Sequence, residues 1–390
     1  MRPLRFLMIG GFLGAGKTTT LARLARFYLD RGQKIGLVTN DQAQDLVDTT
    51  RLRAQGFPVE EVAGACFCCR FNDLVDKVKQ LENSQRPDVI LAEPVGSCTD
   101  LVATVVQPLK ALYGNRFEVA PYPVLFKPSH GLRILKPSPP TRGEEQRAGG
   151  FSPKAAYIFR KQLEEADAIV LNRIDELDAA TLTELTDLVH AAFPGTPLLC
   201  LSAKTGQGFE ALTELLDQRG NFGRKVLDID YDIYAEGEAE LGWLNSSLRI
   251  VADKSMSVDT FLLDVISRLH EAFNQCGGEV AHLKVIALSD ASFGVANLVS
   301  SQSRAELSLP SRAQAKELDL IVNARVALGP ELIAEQVRQA VTAACTACGA
   351  TAEFHTLQSF RPGRPQPTYR YAPAGPPLAL PSGSFPGTSP

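Results

Sequence analysis

The chain has no large excess of charge of one sign and no long hydrophobic run. Its 390 residues include 40 Lys and Arg against 44 Asp and Glu, which leaves a formal net charge of −4. Such a chain has no basic field to attract a polyanion, so we exclude nucleic acid as a partner. No segment is long and apolar enough to span a bilayer, so we also expect no membrane partner.

Length and composition predict an ordinary globular protein. Hydrophobic residues make up 45% of the chain and charged residues 22%, as in folded soluble domains. A chain of 390 residues is long enough for two domains that each bury a core.

The N-terminal stretch MRPLRFLMIGGFLGAGKTTT combines early arginines with apolar residues, as a signal peptide does. Glycines and Lys17 interrupt it, whereas the apolar region of a signal peptide is continuous. We interpret the stretch as a buried strand that runs into a loop, and we expect a cytoplasmic protein. In that reducing compartment the eight cysteines are expected to be thiols or metal ligands.

Short apolar runs alternate with helical patterns in the first part of the chain, which predicts an α/β domain with a mostly parallel sheet over residues 1–220. Strands are expected at 6–10, 35–39, 89–92, 168–171 and 198–201. Residues 108–150 are rich in proline and basic side chains, and we interpret them as an insertion with a flexible loop.

A second, smaller domain is predicted over residues 228–360. Its order of strand, helix, strands, helix and strand is compatible with a ferredoxin-like α+β fold. Residues 361–390 are rich in Pro, Gly and Ser, so a disordered tail is expected there.

The segment GFLGAGKT at 11–18 matches the P-loop pattern between a predicted strand and a predicted helix. Backbone N–H groups of such a loop cradle phosphates, Lys17 reaches the outer phosphates, and the Thr18 hydroxyl ligates Mg²⁺. The alternative is a glycine-rich turn without a ligand. The expected nucleotide contacts are Gly11, Gly14, Ala15, Gly16, Lys17, Thr18 and Thr19.

The apolar run at 89–92 ends in Glu93, as a Walker B strand ends in a carboxylate. Glu93 is expected to bind Mg²⁺ or to orient the attacking water, and the Gly96 N–H to sense the γ-phosphate. Lys17, Thr18 and Glu93 are therefore the candidate catalytic residues. The alternative is a surface carboxylate before a proline-containing turn.

Two further loops resemble the guanine-reading elements of GTPases, which are written NKxD and SAK. They are Asn172 to Asp175, which reads NRID, and Ser202-Ala203-Lys204. A carboxylate such as Asp175 accepts two N–H bonds from guanine that adenine cannot supply. Arg173 replaces the usual lysine, and an arginine can stack on a base in a similar way. Two unrelated polar loops are the alternative.

Three cysteines stand within four positions, at Cys66, Cys68 and Cys69. Thiolates at this spacing can converge on one soft or borderline divalent cation and leave a coordination position open. Cys98 could supply a fourth ligand if the loop folds over it. A disulfide or a simple buried turn is the alternative.

Cys345 and Cys348 on a predicted helix, with His355 on the next strand, could be a second metal site. Their spacing is more typical of small core residues on a buried helix face.

These motifs occur in one order over about 220 residues, and the chain resembles the CobW-type metallochaperone GTPases. The resemblance implies that Cys66, Cys68 and Cys69 bind Zn²⁺ or another divalent transition metal. It also implies that GTP binding is coupled to metal binding, with hydrolysis driving release to a client metalloprotein. Relatives often dimerise across the nucleotide face, so a homodimer is possible here.

The segment NDQAQDLVD at 40–48 corresponds to the family's switch, NEFGxxxxD, and Asp48 would then approach Mg²⁺. The Glu, Phe and Gly of that pattern are replaced. The chain has only five histidines, so it lacks the histidine-rich tract that stores metal in many relatives. Intrinsic hydrolysis is expected to be slow because no arginine finger in cis can be identified.

The sequence therefore predicts a GTP-hydrolysing, metal-binding protein that acts as a metallochaperone or metalloenzyme activator. One alternative is a nucleotide-dependent protein switch whose cysteines only hold a loop. Another is an ATP-using P-loop enzyme. The identities of the metal and of the client are left open.

Overall fold

The computed structural model describes residues 3–41, 52–53, 55–64, 66–136, 152–289, 292–301 and 303–372. The expected switch residue Asp48 lies outside these ranges, as do residues 137–150 of the expected insertion and residues 373–390.

The first part of the chain forms parallel sheets, with the strand orders β4-β3-β5-β1-β6 and β2-β7-β8-β9. Because β2 follows β1 after Ile9 alone, the two sheets meet at the strand that leads into the P-loop. This is the architecture of a P-loop NTPase domain, as predicted. The strands are β1 Leu4–Met8, β2 Gly10–Gly11, β3 Ile35–Asp41, β4 Val59–Ala63, β5 Val89–Glu93, β6 Phe117–Val119, β7 Pro123–Phe126, β8 Ala168–Leu171 and β9 Leu198–Cys200.

Helices cover both faces of these sheets. Successive side chains of a strand point to opposite faces, so Phe6 enters one apolar core and Leu7 the other. None of the described helices is long and apolar enough to cross a membrane. The helices are Lys17–Asp30, Phe71–Gln85, Gln107–Tyr113 after the π-helical turn Val102–Val106, Pro128–Leu135, Pro153–Glu165, Ala179–Ala192, Phe209–Asp217 and Tyr231–Ala239.

The expected insertion at 108–150 is in part a component of the sheets. β6 pairs with β1, and β7 pairs with β8. The prolines stand where a backbone N–H is not needed, since Pro123 begins β7 and Pro128 begins a helix. Proline content alone was therefore misleading as a sign of a loop.

The second part of the chain forms an antiparallel sheet of order β13-β12-β11-β14-β10-β15. Helix crossovers join β10 to β11 and β14 to β15, as in the ferredoxin-like fold. β12 and β13 extend one edge, and β13 was not predicted. The elements are β10 Gly242–Ser257, helix Val258–Gln275, β11 Val280–Ser289, β12 Ser292–Leu298, β13 Glu306–Leu309, β14 Gln314–Val326, helix Pro330–Cys348 and β15 Ala350–Phe360.

Residues 361–372 contradict the expectation of a disordered tail from residue 361. The Thr368 N–H donates to the Cys68 carbonyl at 2.8 Å, and the Tyr371 N–H donates to the Ala103 carbonyl at 3.0 Å. The Tyr369 ring packs against Phe71 with centroids 5.3 Å apart. The tyrosines and arginines of this segment make contacts with the first domain, and the segment's content of Pro and Gly does not predict these contacts.

An ion pair ties this C-terminal segment to the first domain. Arg370 Nε lies 2.7 Å from Asp100 Oδ2, and the Asp100 side chain is 1% exposed. The Tyr231 hydroxyl donates to the same oxygen at 2.8 Å. Burial raises the pKa of Asp100, so a neutral residue at 370 would leave the carboxylate poorly compensated.

We therefore expect Arg370→Met to lower the free energy of unfolding by about 2–3 kcal/mol, since removal of one partner leaves a buried charge unpaired. Urea denaturation of the full chain measures this. Arg364→Met is the matched control, because its partner Asp232 is exposed and such pairs contribute less than about 1 kcal/mol. Equal effects of the two substitutions would contradict the docking of residues 361–372.

Candidate functional site

The P-loop glycines adopt backbone angles that other residues rarely take. Gly11, Gly14 and Gly16 have φ of 139°, 72° and 93°. A Cβ at Gly11 would lie 2.4 Å from the Leu125 carbonyl oxygen, and one at Gly16 would lie 2.3 Å from Asn172 Nδ2. Both the backbone angles and the close neighbours therefore require glycine.

The Walker B carboxylate lies beside the P-loop threonine. Thr18 Oγ1 donates to Glu93 Oε1 at 3.0 Å, and Lys17 Nζ donates to the Gly11 carbonyl at 2.9 Å. β5 is the neighbour of β1 in the parallel sheet, so Glu93 at its carboxyl end reaches the loop that follows β1. The structure thus brings the three candidate catalytic residues together.

A cavity of about 810 Å³, including its open mouth, lies over the P-loop. Two of the expected contacts are not in its lining. These are Gly11 and Ala15, and the Ala15 carbonyl accepts a bond from Asn172 Nδ2 at 2.8 Å. The expected residues that line the cavity are Gly14, Gly16, Lys17, Thr18, Thr19, Glu93 and Gly96.

The second sheet lines the other side of this cavity, which the sequence analysis missed. Lys284 and Arg325 place positive charge opposite the P-loop. On their strands they alternate with apolar residues that pack against the two helices of the second domain. In the sequence, this alternation of polar and apolar residues with a period of two could have indicated that the second face of the sheet lines a polar site. The residues are His282 and Lys284 of β11, Asn297 of β12, and Asn323 and Arg325 of β14.

A second cavity adjoins the first and is lined by Asn172, Arg173, Asp175, Ala203 and Lys204. Asn172 organises it. Its Oδ1 accepts from the Ala203 N–H at 2.9 Å and from the Arg173 N–H at 2.8 Å. Asn172 therefore ties the two expected base-reading loops to the P-loop.

Ser202 is placed differently from its neighbours. It is fully buried, and its Oγ accepts a bond from the Thr205 N–H at 3.1 Å. Ser202 shapes the loop and is not among the residues that line the cavity.

The sulfur atoms of Cys66, Cys68 and Cys69 converge. Sγ of Cys66 lies 2.9 Å from that of Cys68 and 3.2 Å from that of Cys69, and the remaining separation is 3.7 Å. Thiolates on a tetrahedral Zn²⁺, at Zn–S of about 2.3 Å, are about 3.8 Å apart. The spacing suits such an ion after a widening of under about 1 Å. We call these residues the thiol centre.

Hydrogen bonding within the thiol centre shifts the pKa values of its thiols in opposite directions. Hydrogen bonds from Cys68, Cys69 and Cys98 hold the pKa of Cys66 well below its usual value. The bond to Cys66 raises the pKa of Cys69 to about 12, and it also raises the pKa of Cys68 and of Cys98. A metal ion that binds here must therefore displace protons from the other thiols.

Asn40 connects the cavity over the P-loop to the thiol centre. It lines the cavity over the P-loop. Its Oδ1 accepts from the Phe67 N–H at 2.7 Å, and its Nδ2 donates to the Val62 carbonyl at 2.8 Å. Phe67 lies between Cys66 and Cys68 in sequence. The sequence analysis gave Asn40 no role beyond the first position of the expected switch.

Glu238, on the helix Tyr231–Ala239, lies close to the thiol centre. Its side chain is buried and accepts a hydrogen bond from Ser97 Oγ. Burial raises the pKa of Glu238 to about 8. The carboxyl is therefore protonated at neutral pH.

The second set of cysteines does not resemble a metal centre. Cys345 packs in the apolar core of the second domain, and Cys348 Sγ contacts Met256 Sδ at 3.6 Å. His355 is exposed on β15. Within the described ranges, only the thiol centre gathers three potential metal ligands of this kind.

Known proteins of one family resemble part of this chain. The family described as CobW/HypB/UreG, nucleotide-binding domain, matches residues 5–199. The zinc chaperone CobW of Sinorhizobium sp is 30% identical over 227 residues, which are 51% of this chain and 59% of that protein. The zinc chaperone YeiR of Escherichia coli (strain K12) is 34% identical over 91 residues, 23% of this chain and 27% of that protein. The matches thus span less than two thirds of these relatives.

Some solved structures align with this chain at low identity. The Zn(II)-bound YjiA GTPase from E. coli aligns over 87% of this chain and 98% of that chain, with 16% identity and a TM-score of 0.35. HypB from Helicobacter pylori in complex with nickel aligns over 55% and 85%, with 19% identity and a TM-score of 0.39. Values this low carry no argument about activity.

Replacement of Glu238 tests the environment beside the thiol centre. The folded chain keeps a proton on this carboxyl up to about pH 8, whereas the unfolded chain releases it near pH 4.5. Stability of the wild type should therefore fall as pH rises from 4.5 to 8, by about 1.4 kcal/mol for each unit in the limit of a fully buried group. Glu238→Gln should remove this dependence and be the more stable form at pH 7.

The measurement is urea denaturation of metal-free protein at several pH values. The control is Glu236→Gln, an exposed position on the same helix. A wild type and a Glu238→Gln variant with parallel pH profiles would refute the protonated state of Glu238.

Proposed function

The chain belongs to the CobW/HypB/UreG family, and from that membership we propose that it couples GTP binding and hydrolysis to the transfer of Zn²⁺ or another divalent transition metal to a client metalloprotein. Asn40 carries this proposal, because one side chain lines the nucleotide cavity and also bonds the middle of the cysteine loop. The relatives named zinc chaperones support zinc as the first candidate cargo.

The P-loop and the Walker B carboxylate would carry out hydrolysis. Thr18 and Glu93 offer hard oxygen donors within 3.0 Å of each other, which fits Mg²⁺. That ion, when bound with nucleotide, supplies charge neutralisation on the phosphates. Lys17 would contact the outer phosphates, Glu93 would orient water, and the Gly96 N–H would meet the γ-phosphate.

The second cavity would select guanine. Asp175 lies on its wall, where a carboxylate accepts two N–H bonds from guanine. Ala203, Lys204 and Arg173 line the same cavity. A backbone N–H near Ala203 would bind the base edge, and the Arg173 side chain would stack on the ring. Adenine offers one amino group in a different position, so it fits this wall poorly.

The thiol centre would carry the metal. Soft thiolates bind Zn²⁺ and related ions, and free thiols persist in a reducing compartment, so we propose that the protein works in the cytoplasm. Two other functions remain to be tested. A protein switch would need the cysteines only as a scaffold, and an ATP-using enzyme would prefer adenine.

The first test is the affinity for Zn²⁺ in the presence of Mg²⁺ with a GTP analogue, with GDP or without nucleotide. We expect the affinity to be highest with the GTP analogue and to fall at least about 100-fold in Cys66→Ala/Cys68→Ala/Cys69→Ala, because three ligands are lost. Competition with a chromophoric chelator measures both.

The matched control is Cys345→Ala/Cys348→Ala, which removes cysteines outside the thiol centre and should leave the affinity unchanged. Zinc affinity that is the same in every nucleotide state would contradict coupling and favour the protein switch.

Asp175→Asn tests the choice of base. The amide replaces an acceptor with a donor, so we expect GTP to bind about 100-fold more weakly and xanthosine triphosphate, which carries an oxygen at C2, to bind better. Competition binding of GTP, ATP and xanthosine triphosphate measures this. Glu176→Gln, a neighbouring acid on the same wall, should keep the preference for GTP. A wild type that prefers ATP would refute the GTPase assignment.

A further inference from the structure

The loop that follows β5 carries both nucleotide-cavity residues and a fourth cysteine. Glu93 and Gly96 line the cavity over the P-loop. Two residues after Gly96, Cys98 is 2% exposed and lies in the same core as Cys66 and Cys68. The Cys98 thiol lies beside both of those sulfurs and interacts with them. Cys98 therefore lies next to the thiol centre, outside the group of three sulfurs that are all within 4.8 Å of one another.

The path from the cavity to Cys98 is short and firmly held. A Cβ at Gly96 would lie 2.8 Å from the Leu13 side chain and 3.0 Å from Lys17 Nζ, so the loop lies directly against the P-loop. The Cys98 N–H donates to the Val95 carbonyl at 3.0 Å. Only Ser97 separates Gly96 from Cys98, so we expect a displacement of Gly96 to move Cys98 as well.

Residues 361–372, near the C-terminal end of the chain, also contact the thiol centre. The Gln366 N–H donates to Cys69 Sγ at 3.2 Å, and Thr368 Oγ1 donates to the Cys69 carbonyl at 2.9 Å. N–H donors to a ligand sulfur orient it and stabilise its negative charge. These contacts are typical of a shielded centre that holds its ion.

We propose that Cys98 is the fourth ligand of the metal centre and that its loop makes this ligation depend on the nucleotide. The inference rests on the metal-transfer function proposed above. With a triphosphate bound, the Gly96 N–H would hold the loop in place and four thiolates would enclose the ion. After loss of the γ-phosphate, withdrawal of Cys98 would open one coordination position for a ligand of the client. Each thiol that binds the ion gives its proton to solvent.

This arrangement differs from a three-cysteine site in its chemistry. Three thiolates leave a position open at all times, whereas four form the closed tetrahedral set of structural zinc sites. A closed set retains the ion until one ligand leaves. The timing of release would then be set by the loop and not by the intrinsic affinity of the three neighbouring cysteines.

The sulfur count around the ion tests the proposal. X-ray absorption of the Zn²⁺-loaded wild type should give four sulfur ligands with Mg²⁺ and a GTP analogue, and three with GDP. Cys98→Ser should give three in both states. When Co²⁺ replaces Zn²⁺ as the probe, the thiolate-to-cobalt charge-transfer absorbance of Cys98→Ser should be about a quarter lower than that of the wild type. The affinity of Cys98→Ser for Zn²⁺ should be at least about 10-fold lower than that of the wild type. Cys276→Ser, at the end of the helix Val258–Gln275, is the matched control and should change neither readout.

The outcomes separate this inference from the function it rests on. A wild type that binds no metal would overturn both. Nucleotide-dependent zinc affinity with three sulfurs in every state, or a Cys98→Ser spectrum equal to the wild type, would overturn the fourth ligand alone. Four sulfurs in every nucleotide state would overturn the dependence on nucleotide. The sulfur count of the wild type decides the matter even if Cys98→Ser fails to fold.

Discussion

The Gln162 side chain holds the loop on which both chemical centres depend. Its Nε2 donates to the Gly96 carbonyl at 3.0 Å and to the Cys98 carbonyl at 2.8 Å, and the residue is 1% exposed. A buried amide that bonds two carbonyls in this way fixes a loop that has no regular structure of its own. These two bonds help to fix Gly96 at the cavity over the P-loop and Cys98 beside the thiol centre.

The cavity over the P-loop and the thiol centre lie close together because of the strand order in the parallel sheet. β3 pairs with β5, with Thr39 opposite Glu93. The residues just after these strands are therefore side by side at the carboxyl edge, where parallel sheets place their ligands. Asn40 at the end of β3 bonds the cysteine loop, and the loop after β5 carries Cys98. Two separate connections thus run between the nucleotide cavity and the thiol centre.

The antiparallel sheet has a role in the same cavity. One face packs on its two helices, and the other presents buried polar side chains, among them Lys284 and Arg325, toward the P-loop. Trp243 joins the two parts of the chain: it lies in the core of the first domain while Arg325 stacks over its ring at 3.9 Å. The nucleotide cavity is therefore formed by both domains, with positive charge on each side.

The sequence by itself determined the local units, because a strand, its loop and the next helix are contiguous. It predicted β8 at its observed bounds. It also predicted a strand that ends beside Glu93 and a helix that begins at Lys17, and the structure has both. Tertiary structure decided the rest. Asn40 meets Phe67 across 27 residues and Gln366 meets Cys69 across 297, and no local pattern encodes such distant contacts. β6, β7 and residues 361–372 were missed for the same reason. The prolines in and near these segments predict loops, and only long-range pairing and packing give the segments a fixed place.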